Sequence, residues 1–222
     1  GHLLNIKPET KTFKQLMTYI YQIHPDNPQP RLINQVVDVI RQGGVIVYPT
    51  DSCYALGCHM GDKNAIEVIR NIRQIDKKQN LSLICKDLSE ISAVAKVDNT
   101  TYRFIKNITP GPYTFILKAT REIPKRLLHP KKKTIGIRVP DNKITHALLD
   151  ALGESLITST LIMPDDEYPL TDPYEMKELL DHSVDVIIDG GYCGIETTTV
   201  IDFIEGSPTI VRKGLGNVDF LE

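Results

Sequence analysis

Apolar runs of four or five residues, separated by stretches of helical period, constrain this chain more than any other feature. Val45-Ile46-Val47-Tyr48 is stopped by Pro49, and Leu81 to Cys85, Thr114 to Leu117, Ile135 to Val139, Leu156 to Thr160, Val184 to Ile188, Thr199 to Phe203 and Thr209 to Val211 are runs of the same kind. Short runs of this composition read as strands. Between them, Leu32, Ile33, Val36, Val37 and Ile40 keep a helical period that ends at Gly43-Gly44. Ile66, Ile69 and Ile72 mark a second helix after Asp62, and Asp87 with Glu90 has the form of a capping box for a third. Tyr102 to Ile108 is helical until Pro110-Gly111-Pro112 breaks it, and Ile144 to Leu152 is closed by Gly153. Asp172-Pro173-Tyr174-Glu175 places cap, first-turn proline and acid where a helix begins. Met17 to His24 reads as a strand, although Phe13, Leu16, Met17 and Ile20 also fit a helix. The Val184 and Thr199 strands read as joined through a Gly190-Gly191 turn. No repeat or low-complexity linker interrupts this alternation, which predicts one α/β domain with a twisted mixed sheet flanked by helices. Residues 1–16 read as a tag remnant, Gly1-His2, and an N-terminal extension, with Met17 the candidate natural start.

The formal net charge is -2, so attraction to nucleic acid requires local segregation of charge. From Lys118 to Arg138 there are eight Lys or Arg residues against one acid, Glu122; from Asp141 to Asp189 there are twelve acids against Lys143 and Lys177. Two differently solvated faces and one functional basic surface are both open. The apolar runs fall far short of the ~20 residues that span a bilayer. No basic-then-apolar segment opens the sequence, so a cytoplasmic location and no membrane partner are expected. Cys53, Cys58, Cys85 and Cys193 form no CxxC pair and His59 has no partners at zinc spacing. Reduced structural thiols and no Cys/His metal site are expected.

GxxxxGK[ST], GxGxxG and GxSxG motifs are all missing. His24, His129, His146 and His182 read as surface or packing residues. What remains is hydroxyls and cations at strand ends, where open α/β sheets bind ligands. Tyr48-Pro49-Thr50-Asp51-Ser52 leaves one strand, Thr158-Ser159-Thr160 ends another and Thr197-Thr198-Thr199 begins a third. Arg138 lies inside the otherwise apolar Ile135 to Val139 and needs an anion, because an isolated buried charge is costly. That anion is either a structural acid such as Asp51 or Asp141, or a ligand.

These segments carry a family resemblance. Val47-Tyr48-Pro49-Thr50-Asp51-Ser52-Cys53-Tyr54-Ala55-Leu56-Gly57 is similar to the pattern PT(E/D)TVYGLG. Pro110-Gly111-Pro112-Tyr113-Thr114 resembles WPGPLT, with Thr109 in place of the tryptophan. Ile137-Arg138-Val139-Pro140 resembles VRVP, Thr198-Thr199-Val200-Ile201-Asp202 STVID, and Arg212-Lys213-Gly214 RPG. Together they resemble the YrdC/YciO family, which includes the threonylcarbamoyl-AMP synthases, from about Met17 to the C-terminus. His24-Pro25-Asp26-Asn27-Pro28 and the run from Thr158 to Pro164 resemble its YciO branch. The resemblance implies a YrdC-like fold over residues 17–222 with a basic concave face. It also implies that ATP, L-threonine and bicarbonate are joined into threonylcarbamoyl-AMP, the donor for a tRNA adenosine modification. By it, Ser52, Arg138, Thr158 and Thr198 hold threonine, Thr134, Thr160 and Arg212 hold ATP, and Mg²⁺ accompanies the triphosphate.

The departures bear on rate. The family KxR motif reads Arg73-Gln74-Ile75 here, leaving Arg73 as the catalytic candidate, and the SxN motif reads Thr160-Leu161-Ile162. An arginine and an asparagine expected to face the nucleotide are both isoleucine, and losing one such donor costs about 3–4 kcal/mol of transition-state stabilisation. Lys77, Lys78 or Gln79 are candidates to compensate. The expectation is a synthase-like protein of reduced or altered activity. The alternative is a non-catalytic binder of tRNA or double-stranded RNA, using Lys125, Arg126, Lys131, Lys132 and Lys133 on phosphates.

Overall fold

The computed structural model describes residues 17–76 and 81–221, so the readings of residues 1–16 and of Lys77, Lys78 and Gln79 lie outside the described residues. The elements are β1 (Tyr19–Gln22), α1 (Pro30–Arg41), β2 (Ile46–Tyr48), β3 (Ala55–His59), α2 (Lys63–Arg73), β4 (Ser82–Ile84), α3 (Leu88–Val94), α4 (Asn99–Ile108), β5 (Tyr113–Lys118), β6 (Thr134–Arg138), α5 (Lys143–Leu152), β7 (Leu156–Thr160), α6 (Pro173–Leu180), β8 (Val186–Asp189), β9 (Thr199–Asp202) and β10 (Thr209–Arg212). The strands form one mixed sheet in the order β1-β8-β2-β3-β7-β4-β6-β5-β9-β10. β8 runs parallel to β1 and β2, β4 to β6, and β5 to β9. No helix among the described residues is long and apolar enough to cross a membrane.

Helices start where cap chemistry puts them. Asp62, Asp87, Asp98, Asn142 and Asp172 each accept a first-turn amide, satisfying a donor that the helix leaves orphaned. Glu90 reaches back to the amide of Lys86, one residue short of closing the box with Asp87. Gly153, at φ 78°, ends α5.

Two sequence expectations change. The segment Ala55-Leu56-Gly57-Cys58-His59 is a central strand that the sequence reading did not assign. Alanine, glycine and cysteine give it little β-propensity, and it is held by antiparallel pairing with β2 and β7. Gly190-Gly191 does not turn the chain between neighbouring strands. β8 lies between β1 and β2, and β9 between β5 and β10, so the segment after Gly191 carries the chain to the opposite half of the sheet.

Alternation along the strands sorts side chains to two faces. Val47, Leu56, Leu83, Phe115, Ile135, Ile137, Ile157 and Ile201 point to one face, where Ile66 and Ile69 of α2, Ile91 of α3, Ile105 of α4 and Met176 of α6 cover them. Ile46, Tyr48, Ala55, Val186 and Ile188 point to the other, beneath Val36, Val37 and Ile40 of α1 and Ile144, Leu148 and Leu149 of α5. Each such aliphatic side chain contributes roughly 1.5–3 kcal/mol of burial. Leu156 of β7 and Ile84 of β4 also belong to this covered cluster, whereas over β6, β5 and β9, and at Thr158 of β7 and Ser82 of β4, no helix among the described residues lies on the second face. Thr158, Ser82, Gly136, Arg138, Thr114 and Thr198 point outward there.

Candidate functional site

The open half of the sheet forms the floor of a cavity of about 250 Å³. Arg138 comes from the end of β6, Arg73 from the last turn of α2 and Arg212 from β10; Ser82, Thr114, Thr158, Ser159, Thr160 and Thr198 supply hydroxyls. No acid lines it. A Cβ on Gly136 would lie 2.7 Å from Ser82 Oγ and 3.0 Å from Thr114 Cγ2, so glycine keeps the floor open.

Arg138 is only 4% exposed. Its Nη2 donates to Ser52 Oγ at 2.9 Å and more weakly to Thr50 Oγ1 at 3.4 Å, and its Nε–H has no partner among the described residues. Thr50 is fixed in turn, accepting from the amides of Ser52 and Cys53 and donating to the Cys53 carbonyl. Of the two readings of Arg138, the structural ion pair is not formed: no salt bridge among the described residues involves it. Asp51 Oδ2 instead accepts the Asp141 amide at 2.9 Å, Oδ1 is buried without a partner, and burial pushes this carboxyl up.

Arg73 Nη1 donates to Ser159 Oγ at 2.9 Å and to the Thr160 carbonyl, again with a buried, unpartnered Nε. Arg212 donates to the Thr198 carbonyl at 2.8 Å and to its hydroxyl at 3.2 Å. This close docking needs Gly214, since a Cβ there would sit 2.4 Å from the carbonyl oxygens of Thr197 and Thr198. Burial lowers the pKa of Arg73 and of Arg212, with the charge of Arg138 adding to the latter. Three cations therefore face one cavity whose lining among the described residues holds no acid to match them. Such an arrangement is arranged for an anion.

The candidates from the sequence divide. Arg73, Arg138, Thr158, Thr160, Thr198 and Arg212 line the cavity, and Ser52 joins it through Arg138. Thr134 is on the same face of β6 as Gly136 and Arg138, but at the far end of the strand and off the cavity wall. Ile75 is packed against the apolar core, and Ile162 adds no polar atom. Lys125, Arg126, Lys131, Lys132 and Lys133 are exposed and away from the cavity; His129 Nδ1 holds the amides of Lys131 and Lys132. Thr114, Ser82 and Gly136 were not singled out in the sequence. The period-two alternation was the available signal: Thr114 falls on the face opposite Tyr113 and Phe115, and Gly136 opposite Ile135 and Ile137. The four cysteines are free thiols, and burial pushes Cys53 up to about 11 and Cys85 and Cys193 to about 12, so they are protonated at neutral pH.

A family model named for Sua5, YciO and YrdC and described as "Telomere recombination" matches residues 38–214. The chain belongs to the Sua5/YciO/YrdC family. It is 55% identical over 202 residues to the uncharacterized protein YciO of Escherichia coli K12, covering 91% of this chain and 98% of that one. The crystal structure of E. coli YciO superposes with a TM-score of 0.88 over the same shares of each chain. A threonylcarbamoyl-AMP synthase of Chromobacterium violaceum is 34% identical over 137 residues, 61% of this chain and 70% of its own. P. abyssi Sua5 complexed with L-threonine shares the fold, with a TM-score of 0.80 at 23% identity, 88% of this chain and 57% of that one being covered.

Proposed function

We propose that this chain is a threonylcarbamoyl-AMP synthase-like nucleotide-binding protein whose turnover is reduced or altered relative to the synthases. The observation that carries the reading is the cavity with three arginines and, among the described residues, no acid in its lining and no partner for two buried guanidinium N–H groups. In the reaction the threonine amine attacks the bicarbonate carbon and water leaves. A carbamate oxygen then attacks the α-phosphate of ATP and pyrophosphate departs. Charge stays on oxygen throughout, so fixed donors and orientation supply the catalysis. Arg138, steadied by Ser52, is assigned the threonine carboxylate, with Thr158 and Thr198 beside it. Arg73, Thr160 and Arg212 are assigned the nucleotide, with Thr134 a more remote contact.

Reduced turnover follows from Ile75 and Ile162. The Ile75 side chain is part of the core packing, so only Arg73 of the KxR position reaches the cavity. Mg²⁺ is expected with ATP, yet the cavity lining offers it no carboxylate. Among the described residues no group of three or more His, Cys, Asp or Glu is placed to hold a metal. The chain's own residues do not fit a resident Mg²⁺ site, and no step here depends on one.

A second reading, non-catalytic binding of tRNA or double-stranded RNA, is favoured by one observation. Lys125, Arg126, Lys131, Lys132 and Lys133 are all exposed, and no salt bridge among the described residues involves them. Such cations suit sequence-independent phosphate contacts. Incubation with ATP, L-threonine and bicarbonate, followed for pyrophosphate and threonylcarbamoyl-AMP, separates the two. Product that requires all three supports the synthase reading; RNA binding without product supports the second.

A further inference from the structure

One residue of the covered half reaches the wall of the cavity. Tyr48 of β2 lies opposite Ala55 of β3 and diagonal to Gly57. Gly57 in turn pairs with Thr158 of β7, so all of β3 separates the tyrosine from the threonine. The ring crosses β3 over the bare Cα of Gly57, where a Cβ would lie 2.8 Å from Tyr48 Cε1. Its hydroxyl then meets Thr158 Oγ1 at 2.6 Å, the one hydrogen bond of this phenol among the described residues. Tyr48 is fully buried, and a buried phenol proton without an acceptor is costly, so Tyr48 donates and Thr158 accepts. A single rotation about χ1 would otherwise exchange the places of the Thr158 hydroxyl and methyl. The bond selects one of those arrangements and leaves the hydroxyl its own proton and a second lone pair for the cavity it lines.

We infer that Tyr48 is a positioning residue: it fixes the rotamer of Thr158 and so sets a ligand contact that Tyr48 does not itself make. Tyr48 is not part of the cavity lining. Packing alone does not require its hydroxyl, since Ile46, Ala55, Val186 and Ile188 fill the same layer without one. A phenylalanine would occupy the same space over Gly57 and bury no polar group. The hydroxyl is therefore accounted for by Thr158, and Gly57 by the passage the ring needs to reach it. The inference rests on the reading of this cavity as the site that holds L-threonine.

Calorimetric titration of the full chain with L-threonine tests it on the unaltered protein, Tyr48→Phe, Thr158→Ala and the double variant, with Arg138→Met as the control for the site. Tyr48→Phe and Thr158→Ala should each weaken L-threonine by about three- to tenfold, the contribution of one hydrogen bond. The double variant should bind no more weakly than Thr158→Ala, because the phenol then has no hydroxyl to position. Thr158→Ser should bind nearly as the unaltered chain does while Tyr48 is in place, and lose that binding when Tyr48→Phe is added. A packing role alone would change stability in both backgrounds without this coupling in affinity. Unchanged binding by Tyr48→Phe or by Thr158→Ala, or an equal further loss when the two are combined, would overturn the inference; weaker binding by Arg138→Met would then leave the site reading standing. No binding of L-threonine by the unaltered chain, or binding that neither Thr158→Ala nor Arg138→Met weakens, would overturn both.

Discussion

Over β8, β2 and β3, the face beneath α1 and α5 is built from Ile46, Tyr48, Ala55, Val186 and Ile188. Over β6, β5 and β9, the same face of the same sheet carries Gly136, Arg138, Thr114, Ile116, Thr198 and Val200. Behind both halves the strands are equally apolar, with Val47, Leu56, Phe115, Ile137 and Ile201 in one continuous core. The two halves thus share strand chemistry on one side and differ only in alternate residues on the other. Where those residues are apolar, a helix covers them and stability results. Where they are hydroxyls and cations, the sheet stays open and forms the candidate site, at some cost in stability from a buried arginine without an acid among the described residues.

The covered half should be the sensitive one in unfolding. Leu148→Ala, in the middle of α5 and fully buried, should destabilise the protein by about 2–5 kcal/mol in chemical denaturation. Ligand binding by the folded fraction should be retained. A loss below about 1 kcal/mol would mean that α5 contributes little and the contrast is overstated.

Tyr48 stands at the border, its ring among the residues under α1 and its hydroxyl on Thr158. Burial, partly offset by the positive charge of Arg138, pushes its pKa up to about 12. The folded state therefore keeps a proton that an exposed tyrosine loses near pH 10. Its contribution is complete below pH 10 and is lost as pH rises towards 12, a change of roughly 2–3 kcal/mol. Tyr48→Phe should flatten the fall in denaturation midpoint across that window. An unchanged slope would show that Tyr48 does not set it.

On the open half, Arg138→Met should weaken anion binding by about 1.5–3 kcal/mol and leave stability within about 1 kcal/mol, with an increase more expected than a loss. If Arg138→Met destabilises as much as Leu148→Ala, the open half is structural and the comparison fails. The smallest effect is assigned to the exposed loop. Changing Lys131, Lys132 and Lys133 to alanine should leave stability unaltered and weaken duplex RNA binding. It should also lower the log–log salt slope by about 0.7–0.9 for each phosphate contact removed. An unaltered affinity and slope would assign those lysines to solvent.

Much of this division was legible in the sequence, though unevenly. Ile135-Gly136-Ile137-Arg138 announces both its strand and its anomaly, because an arginine at an alternate position of an apolar run has few structural uses. Thr158 and Thr198 were visible as strand-end hydroxyls, and Arg212 and Ser52 through motifs. β3 was not visible, since Ala-Leu-Gly-Cys-His has neither alternation nor β-branched residues and depends on its neighbours. The position of β9 was hidden as well. Gly190-Gly191 is compatible with a tight turn, and only the completed sheet puts β8 and β9 in opposite halves. Which anion, if either, Arg138 would meet could not be read from spacing. Asp51 and Asp141 are both close in the fold, and the choice turns on the single amide of Asp141 that Asp51 accepts.

The central claim is that ligand binds on the open half, against Arg73 and Arg138. Arginine Nε–H resonances report this directly in nitrogen-resolved NMR of the full chain titrated with ATP, L-threonine and bicarbonate. The account predicts that the Nε–H signals of Arg73 and Arg138 shift on binding, while the backbone amides of Val36 and Leu148, in the covered half, stay in place. Saturable binding that leaves both Nε–H signals unmoved would contradict it.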